Sequence, residues 1–364
     1  ANTIDIVIKA HDQASKQLAA VGNRAERLSS KLKSMRGPLL GVTAAIGGLG
    51  FLAGKTFAGF EQQMARVGAV SKATSGELVM LTDIAKEMGR TTQFTASQAA
   101  EALTFMSMAG MDVATQMEAL PKVLQLAAAG GLDLGAAADI VTNVMAGFGL
   151  EANELTKAND VLTTAFTNAN TDLTQLGQAF KMAGPVAKAA GLSFEETTAA
   201  LAVMGNAGFQ GTMAGTALRG AISRLLNPAG EAAKTIERLG LTVTDAQGKF
   251  LPLVDIVGQL ETSGLTAGDA MTIFGQRAGP AMLALVSQGS GALSELVGKM
   301  EESGGIAEEI AAKQLDTLQG SFLLLKSAVE GVFIELGTAL APALRTVAGK
   351  LQTVASVIAG LNPN

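Results

Sequence analysis

The sequence predicts a mainly α-helical protein: an array of helical hairpins flanked by heptad helices, with one short N-terminal strand and one small β-hairpin. Three observations predict it. Between Phe94 and Pro228, small-residue helices restart at Thr95, Asp133 and Asp172, 38 and 39 residues apart. Each start offers a side-chain oxygen that can accept from a free backbone N–H, which marks a helix N-terminus. Met106, Met145 and Met182, and Gly110, Gly147 and Gly184, fall at similar offsets, and the period is that of a helix–turn–helix repeat. The stride breaks after Gly191, where Ser193-Phe-Glu-Glu opens a helix 21 residues on, so the array is degenerate. The second observation is a pair of apolar heptad runs, one near each end. The third is that only two short stretches alternate as strands do.

Composition supports this reading. The 364 residues are 48% hydrophobic but 4% aromatic, with no Trp, so the apolar content is Ala, Leu, Gly and Met. Small side chains let helices approach closely, but each buries little area, so many contacts are needed. Cysteine is absent, which excludes disulfides and thiolate chemistry. The lone histidine, His11, excludes a multi-histidine metal site within one chain. A net charge of −5 argues against general nucleic-acid binding. Residues 1–60 nevertheless carry +5, leaving −10 for the remainder, an asymmetry that suits an end-specific partner or head-to-tail contact between copies.

Residues 3–9 alternate and are β-branched, so a short strand is expected there. Asp12 then caps a helix whose apolar positions, Ala14, Leu18, Val21, Ala25, Leu28, Leu32 and Met35, form a strict heptad seam that wants a partner helix. Gly37-Pro38 ends it. Leu39 to Gly54 holds 16 residues without a charge. A spanning helix needs about 20 apolar residues, so the stretch is short by that measure. Gly50-x-x-x-Gly54 permits close helix contact in a membrane or in a soluble core. On the membrane reading, Leu39, Leu40, Ile46, Leu49, Gly50, Phe51, Leu52 and Gly54 make the contact. Gly48 to Thr56 imitates a phosphate loop, but its glycine spacing is wrong and no strand precedes it.

Phe57 to Gly89 reads as two helices joined at Ser75-Gly76-Glu77, with Leu78, Leu81, Ile84 and Ala85 on one face of the second. The hairpin array follows, its Met and Phe residues at core spacing. Gly205 to Gly211 reads as a loop and a recognition or flexible surface. Leu241–Leu253 is two extended runs around Asp245-Ala-Gln-Gly248, a β-hairpin propped on helices. Helices are expected at Leu253–Glu261, Ala267–Phe274 and Ala278–Val286, with Gly279-Pro280 at a helix start. Residues 294–310 read as acidic and flexible around Gly304-Gly305. The second seam is Leu315, Leu318, Phe322, Leu325, Val329, Val332 and Leu336. Leu340 and Leu344 then add a stutter at Pro342, where a break or kink is expected. The pattern continues through Leu361, which suggests that the natural chain goes on. Boundaries are therefore placed at 1–56, 57–310 and 311–364.

No motif for nucleophilic or metal chemistry is present, no cofactor is expected and an enzyme is not. The pairs Glu195-Glu196, Glu301-Glu302 and Glu308-Glu309 are sequence neighbours that point about 100° apart on a helix, so they read as solvated faces.

An ordered set of motifs carries a resemblance. It runs through Phe60-Glu-Gln-Gln-Met64, Thr92-Gln-Phe-Thr-Ala-Ser-Gln-Ala-Ala-Glu-Ala-Leu103, Met108-Ala-Gly110 and Leu124-Gln-Leu-Ala-Ala-Ala. Ala183-Gly-Pro-Val-Ala-Lys-Ala-Ala-Gly-Leu192, Gly215-Thr-Ala-Leu-Arg-Gly220 and the stretch near Asp245–Leu253 follow, with Leu318-Gln-Gly-Ser-Phe and Leu336-Gly-Thr-Ala-Leu-Ala-Pro342 at the end. Over roughly 55–285 the chain resembles the core region of phage tail tape measure proteins. That resemblance implies a virion protein of the tail tube lumen or tip, present in the host cytoplasm during assembly, that sets tail length and leaves ahead of the DNA. It implies as partners other copies of itself and tail tube, tail tip or baseplate proteins. As one helix the whole chain would span at most about 550 Å at 1.5 Å per residue. Hairpins shorten it, so a globular, tube-end portion of a longer protein or a short-tailed relative is expected. Self-association is assigned to Leu18, Val21, Leu28 and Leu32, and to Leu318, Phe322, Leu325, Val329 and Leu336. Pairing of the two seams within one chain stands equally open, since heptads do not reveal whose helix is the partner. The alternative reading is a membrane-active protein that inserts Leu39–Gly54 into the host inner membrane during genome ejection.

Overall fold

A computed structural model describes residues 39–360, and within them fifteen α-helices and no strand. The expected strand at 3–9 and the basic heptad helix lie outside the described residues. The helices are α1 (Leu39–Ser71), α2 (Ser75–Thr91), α3 (Ala96–Met108), α4 (Val113–Gly130), α5 (Leu134–Phe148), α6 (Leu155–Asn168), α7 (Leu173–Ala190) and α8 (Phe194–Asn206). They continue as α9 (Gly211–Leu226), α10 (Glu231–Arg238), α11 (Leu253–Thr262), α12 (Ala267–Gln288), α13 (Ser290–Glu301), α14 (Ile306–Leu315) and α15 (Leu318–Gly360). The described residues form two compact units, one of residues 63–324 and one joining residues 39–62 with 325–360.

The larger unit is built on three copies of one hairpin, α2–α3, α4–α5 and α7–α8. The first helices are capped by Thr74, Asp112 and Asp172, the second by Thr95, Asp133 and Ser193, and the two caps stand 21 residues apart in every copy. Each cap side chain accepts from the backbone N–H three residues on, which satisfies one of the orphan donors of the first turn. The 21-residue step that looked like a break is thus the internal stride of the repeat. The expected starts at Thr95, Asp133 and Asp172 are real caps, but they mix second helices with a first one and skip Asp112. Burial repeats as well. One residue after the second cap stand Ala96, Leu134 and Phe194; eight after, Leu103, Val141 and Leu201; eleven after, Met106, Val144 and Met204; all are buried. Met145 and Met182, the offsets read from sequence, are only partly covered.

α6 is inserted between the second and third copies and packs on α4, α8, α13 and α14. Phe148, Phe180 and Phe194 join hairpins two and three, with ring centroids 5.1–5.6 Å apart. Each such buried side chain contributes about 1.5–3 kcal/mol. Close backbone approach does the rest. A Cβ on Gly177 would stand 2.6 Å from Ile140, and one on Gly215 would stand 2.7 Å from the Cα of Ala179, so α7 meets α5 and α9 where side chains are missing.

Three expectations change here. The β-hairpin near 241–253 is reduced to one antiparallel bridge, Thr244–Phe250, around a turn in which the Asp245 carboxylate accepts from Gln247 and Lys249 N–H. Pro252 and the immediate start of α11 leave no room for longer arms. The pair of helices expected at 267–286 is present as the two segments of α12, which meet at Gly275, where φ 78° is open to glycine alone at little strain. Pro280 lies inside the second segment instead of at its first position. The acidic stretch 294–301 is helical, within α13.

Candidate self-association surface

α15 is two-faced. Gly320, Ser327, Ile334 and Ala341 recur every seventh residue and are buried, as is Gly337. The expected seam is on the other side. Leu318 is 76% exposed, Phe322 61%, Leu325 53%, Val329 40% and Leu336 48%, and Leu340, Leu344 and Val347 prolong the row. At about 100° per residue the two sets lie roughly half a turn apart on the helix. The inward contacts therefore belong mostly to small residues, with Ile334 among them, and the row from Leu318 to Leu336 lies on the opposite side, while Leu344 comes round to the contact. The helix also runs through Pro342 without the expected break. Loss of one N–H does not end a helix whose flanking turns keep theirs.

In the unit that α15 shares with α1, small residues make the contact. A Cβ on Gly337 would lie 2.6 Å from the Ala53 carbonyl oxygen, and one on Gly54 would lie 2.9 Å from Leu344 Cδ1. Arg345 pairs with Glu61 across the same contact. Thus Gly54, expected as a membrane contact, faces Leu344, while Gly50 has open space around it and Leu49, Phe51 and Leu52 are exposed. Leu39, Leu40 and Ile46 stand on the first turns of α1. Among the described residues no single helix is long and apolar enough to cross a membrane. The bent pair α4–α5 is together long and apolar enough, but its apolar residues are the core of the second hairpin. The phosphate-loop look-alike at Gly48–Thr56 lies within the continuous helix α1 and forms no loop. Leu18, Val21, Leu28 and Leu32 lie outside the described residues.

The polar groups singled out in the sequence are occupied by the fold. Glu196 closes the cap of α8 with Ser193 and accepts from Leu253 N–H, while Glu195 pairs with Lys157. These two are joints between elements, not the solvated faces expected. The hydrogen bond to Glu195 raises the Lys157 pKa above its ordinary value. Glu309 pairs with Lys313. Within Gly205–Gly211, where a loop was expected, residues 207–210 form the turn between α8 and α9, and it is pinned on both sides: Asn206 accepts from Asn170 N–H, and the Gln210 amide donates to Asn170 O. Among the described residues no three His, Cys, Asp or Glu side chains gather as a metal site. Sequence reasoning missed Asp160, a 3% exposed carboxylate that accepts from Gly305 and Ala307 N–H. Partners 145 and 147 residues away leave no local signal.

Residues 82–332 match the family described as Phage-related minor tail protein. The chain is similar to the tape measure protein of Pneumococcus phage Dp-1, with 33% identity over 358 residues, covering 96% of this chain and 31% of that protein. It is similar to the probable tape measure protein of Escherichia phage P2, with 30% identity over 324 residues, covering 84% of this chain and 40% of that protein. It is also similar to the probable tape measure protein of Clostridium phage phiCD119, at 23% identity over 386 residues, covering 95% and 40%. The chain therefore spans between 31% and 40% of the length of these curated relatives. No solved structure matches it.

Proposed function

This chain belongs to the phage-related minor tail protein family, and on that footing we propose that it is a structural segment of a tape measure protein. It acts in tail assembly, tail-length determination and genome delivery. It resides in the tail tube lumen or tip of the virion and in the host cytoplasm during assembly. Its partners are other copies of itself and tail tube, tail tip or baseplate proteins. The observation that carries the reading is similarity to tape measure proteins along nearly the whole chain. The exposed row Leu318, Phe322, Leu325, Val329 and Leu336 supports self-association, because a 3–4 apolar spacing on one face is what a facing helix fills.

The test is light scattering of the intact chain carrying Leu325→Asp and Val329→Asp. The molar mass is expected to fall to that of a single chain while far-ultraviolet circular dichroism is unchanged. An unaltered mass would sink self-association through this face. In the phage that encodes the chain, the same variant is expected to give few or misassembled tails by electron microscopy. Normal tails would remove the assembly role of this face.

A further inference from the structure

We propose that Gly304–Asp316, the segment carrying α14, is a releasable strap that lifts off the body of residues 63–324 while that body stays folded. Its attachment is lighter than that of the hairpin helices, of which α2 buries the fewest residues, three of seventeen. Ala307 is the only buried residue of α14, whereas α9 buries eight of its sixteen. Apart from Ala307, its apolar contacts are the half-buried Ile306, Ile310, Ala311 and Leu315, so less apolar area holds the strap down than holds α9.

What holds it is a clasp at each end. At the start, the buried Asp160 carboxylate on α6 gives one oxygen to Gly305 N–H at 2.9 Å and the other to Ala307 N–H at 3.0 Å. At the end, the Gln314 side-chain amide donates to Ala129 O, near the last turn of α4, at 2.9 Å. Charge-assisted bonds to a desolvated carboxylate are strong while both amides are present. When the strap leaves, Asp160 meets water, so the open state carries no unpaired buried charge. Opening then costs a few hydrogen bonds, the buried Ala307 and the half-buried Ile306, Ile310, Ala311 and Leu315, less than unfolding the hairpins.

The ends are suited to it. Gly304 and Gly305 have open space where a Cβ would be, and Gly305 sits at φ 77°. Released and extended, the segment would reach about twice its helical length, at about 3.3 Å per residue in place of 1.5 Å. The strap thus stores slack immediately before α15.

Hydrogen–deuterium exchange on the intact chain tests this. In the wild type, amides of 306–315 are expected to exchange at least ~100-fold faster than those of α7 and α9. Asp160→Asn is expected to raise the strap's rate by a further ~10-fold and leave α7 and α9 unchanged, and Gln314→Ala to do the same, more weakly, at the α14 C-terminus. Protection of 306–315 equal to that of α7 would overturn the proposal. So would an Asp160→Asn chain in which α7 and α9 open together with the strap or which fails to fold, because the segment is then part of the cooperative core. Unchanged strap exchange in both variants would also overturn it, because the clasps then hold nothing.

Discussion

Two glycines of one helix separate what a missing side chain does. On α9, a Cβ at Gly215 would lie 2.7 Å from the Cα of Ala179, a backbone atom that cannot step aside. At Gly220 the nearest atom is Ala278 Cβ at 3.6 Å, ordinary van der Waals distance. Gly215→Ala is therefore expected to destabilise by about 1–3 kcal/mol through overpacking. Gly220→Ala is expected to stabilise by about 0.5–1 kcal/mol, because alanine loses less backbone freedom in a helix. Denaturant midpoints of the two variants check the opposite signs; equal shifts would contradict the geometry. Single residues were legible in the sequence where their role is local. Thr95, Asp133 and Ser193 announce their caps within four residues. Asp160 and Glu196 were not legible as joints, because their partners lie far along the chain.

Helices were legible because their period and their caps are local properties, and the hairpin stride became clear only once Asp112 was recognised as a cap. The caps also carry a pH dependence. Backbone hydrogen bonds hold Asp112 below its ordinary pKa by Thr115 N–H and Glu261 by Ser290 N–H; for Asp269 the Thr266 hydroxyl is the larger cause. A carboxylate depressed in the folded state contributes stability that is present above its unfolded pKa and lost as pH falls through the folded one. Thermal midpoints are thus expected to drop from about pH 5 downward, starting near the ordinary carboxylate range. Asp112→Asn, which still caps α4 but does not titrate, should weaken that pH dependence; an identical slope would exclude this cap as a contributor. The heptad of α15 shows the limit of periodicity. Spacing identified an apolar row, but not which side of the helix the fold uses, because glycine, serine and alanine carry no hydropathy signal comparable to leucine. At Pro342, sequence shows the lost donor, for which a break or kink was expected, and the helix continues through it unbroken.

At the scale of the molecule, residues 63–324 own a core drawn from all three hairpins and from α9, α11, α12 and α13. That fragment is expected to fold alone, with cooperative thermal unfolding and the helix content of its share of the chain. A fragment without a cooperative transition would show that the core depends on the remaining residues. The order of packing was not legible, because α6 interrupts the repeat and places Asp172, the first cap of the third copy, 60 residues, not 38, after Asp112, the first cap of the second. Near the other end of the chain, recurrence at every seventh position has a consequence for inheritance. Adding or removing one heptad in α15 returns each small residue to the inside and each large one to the outside, whereas a change of two or five residues turns the helix over. Mutation can therefore lengthen or shorten this helix without turning it over in steps close to whole turns, such as seven or eleven residues, and related phages are expected to differ here by such increments.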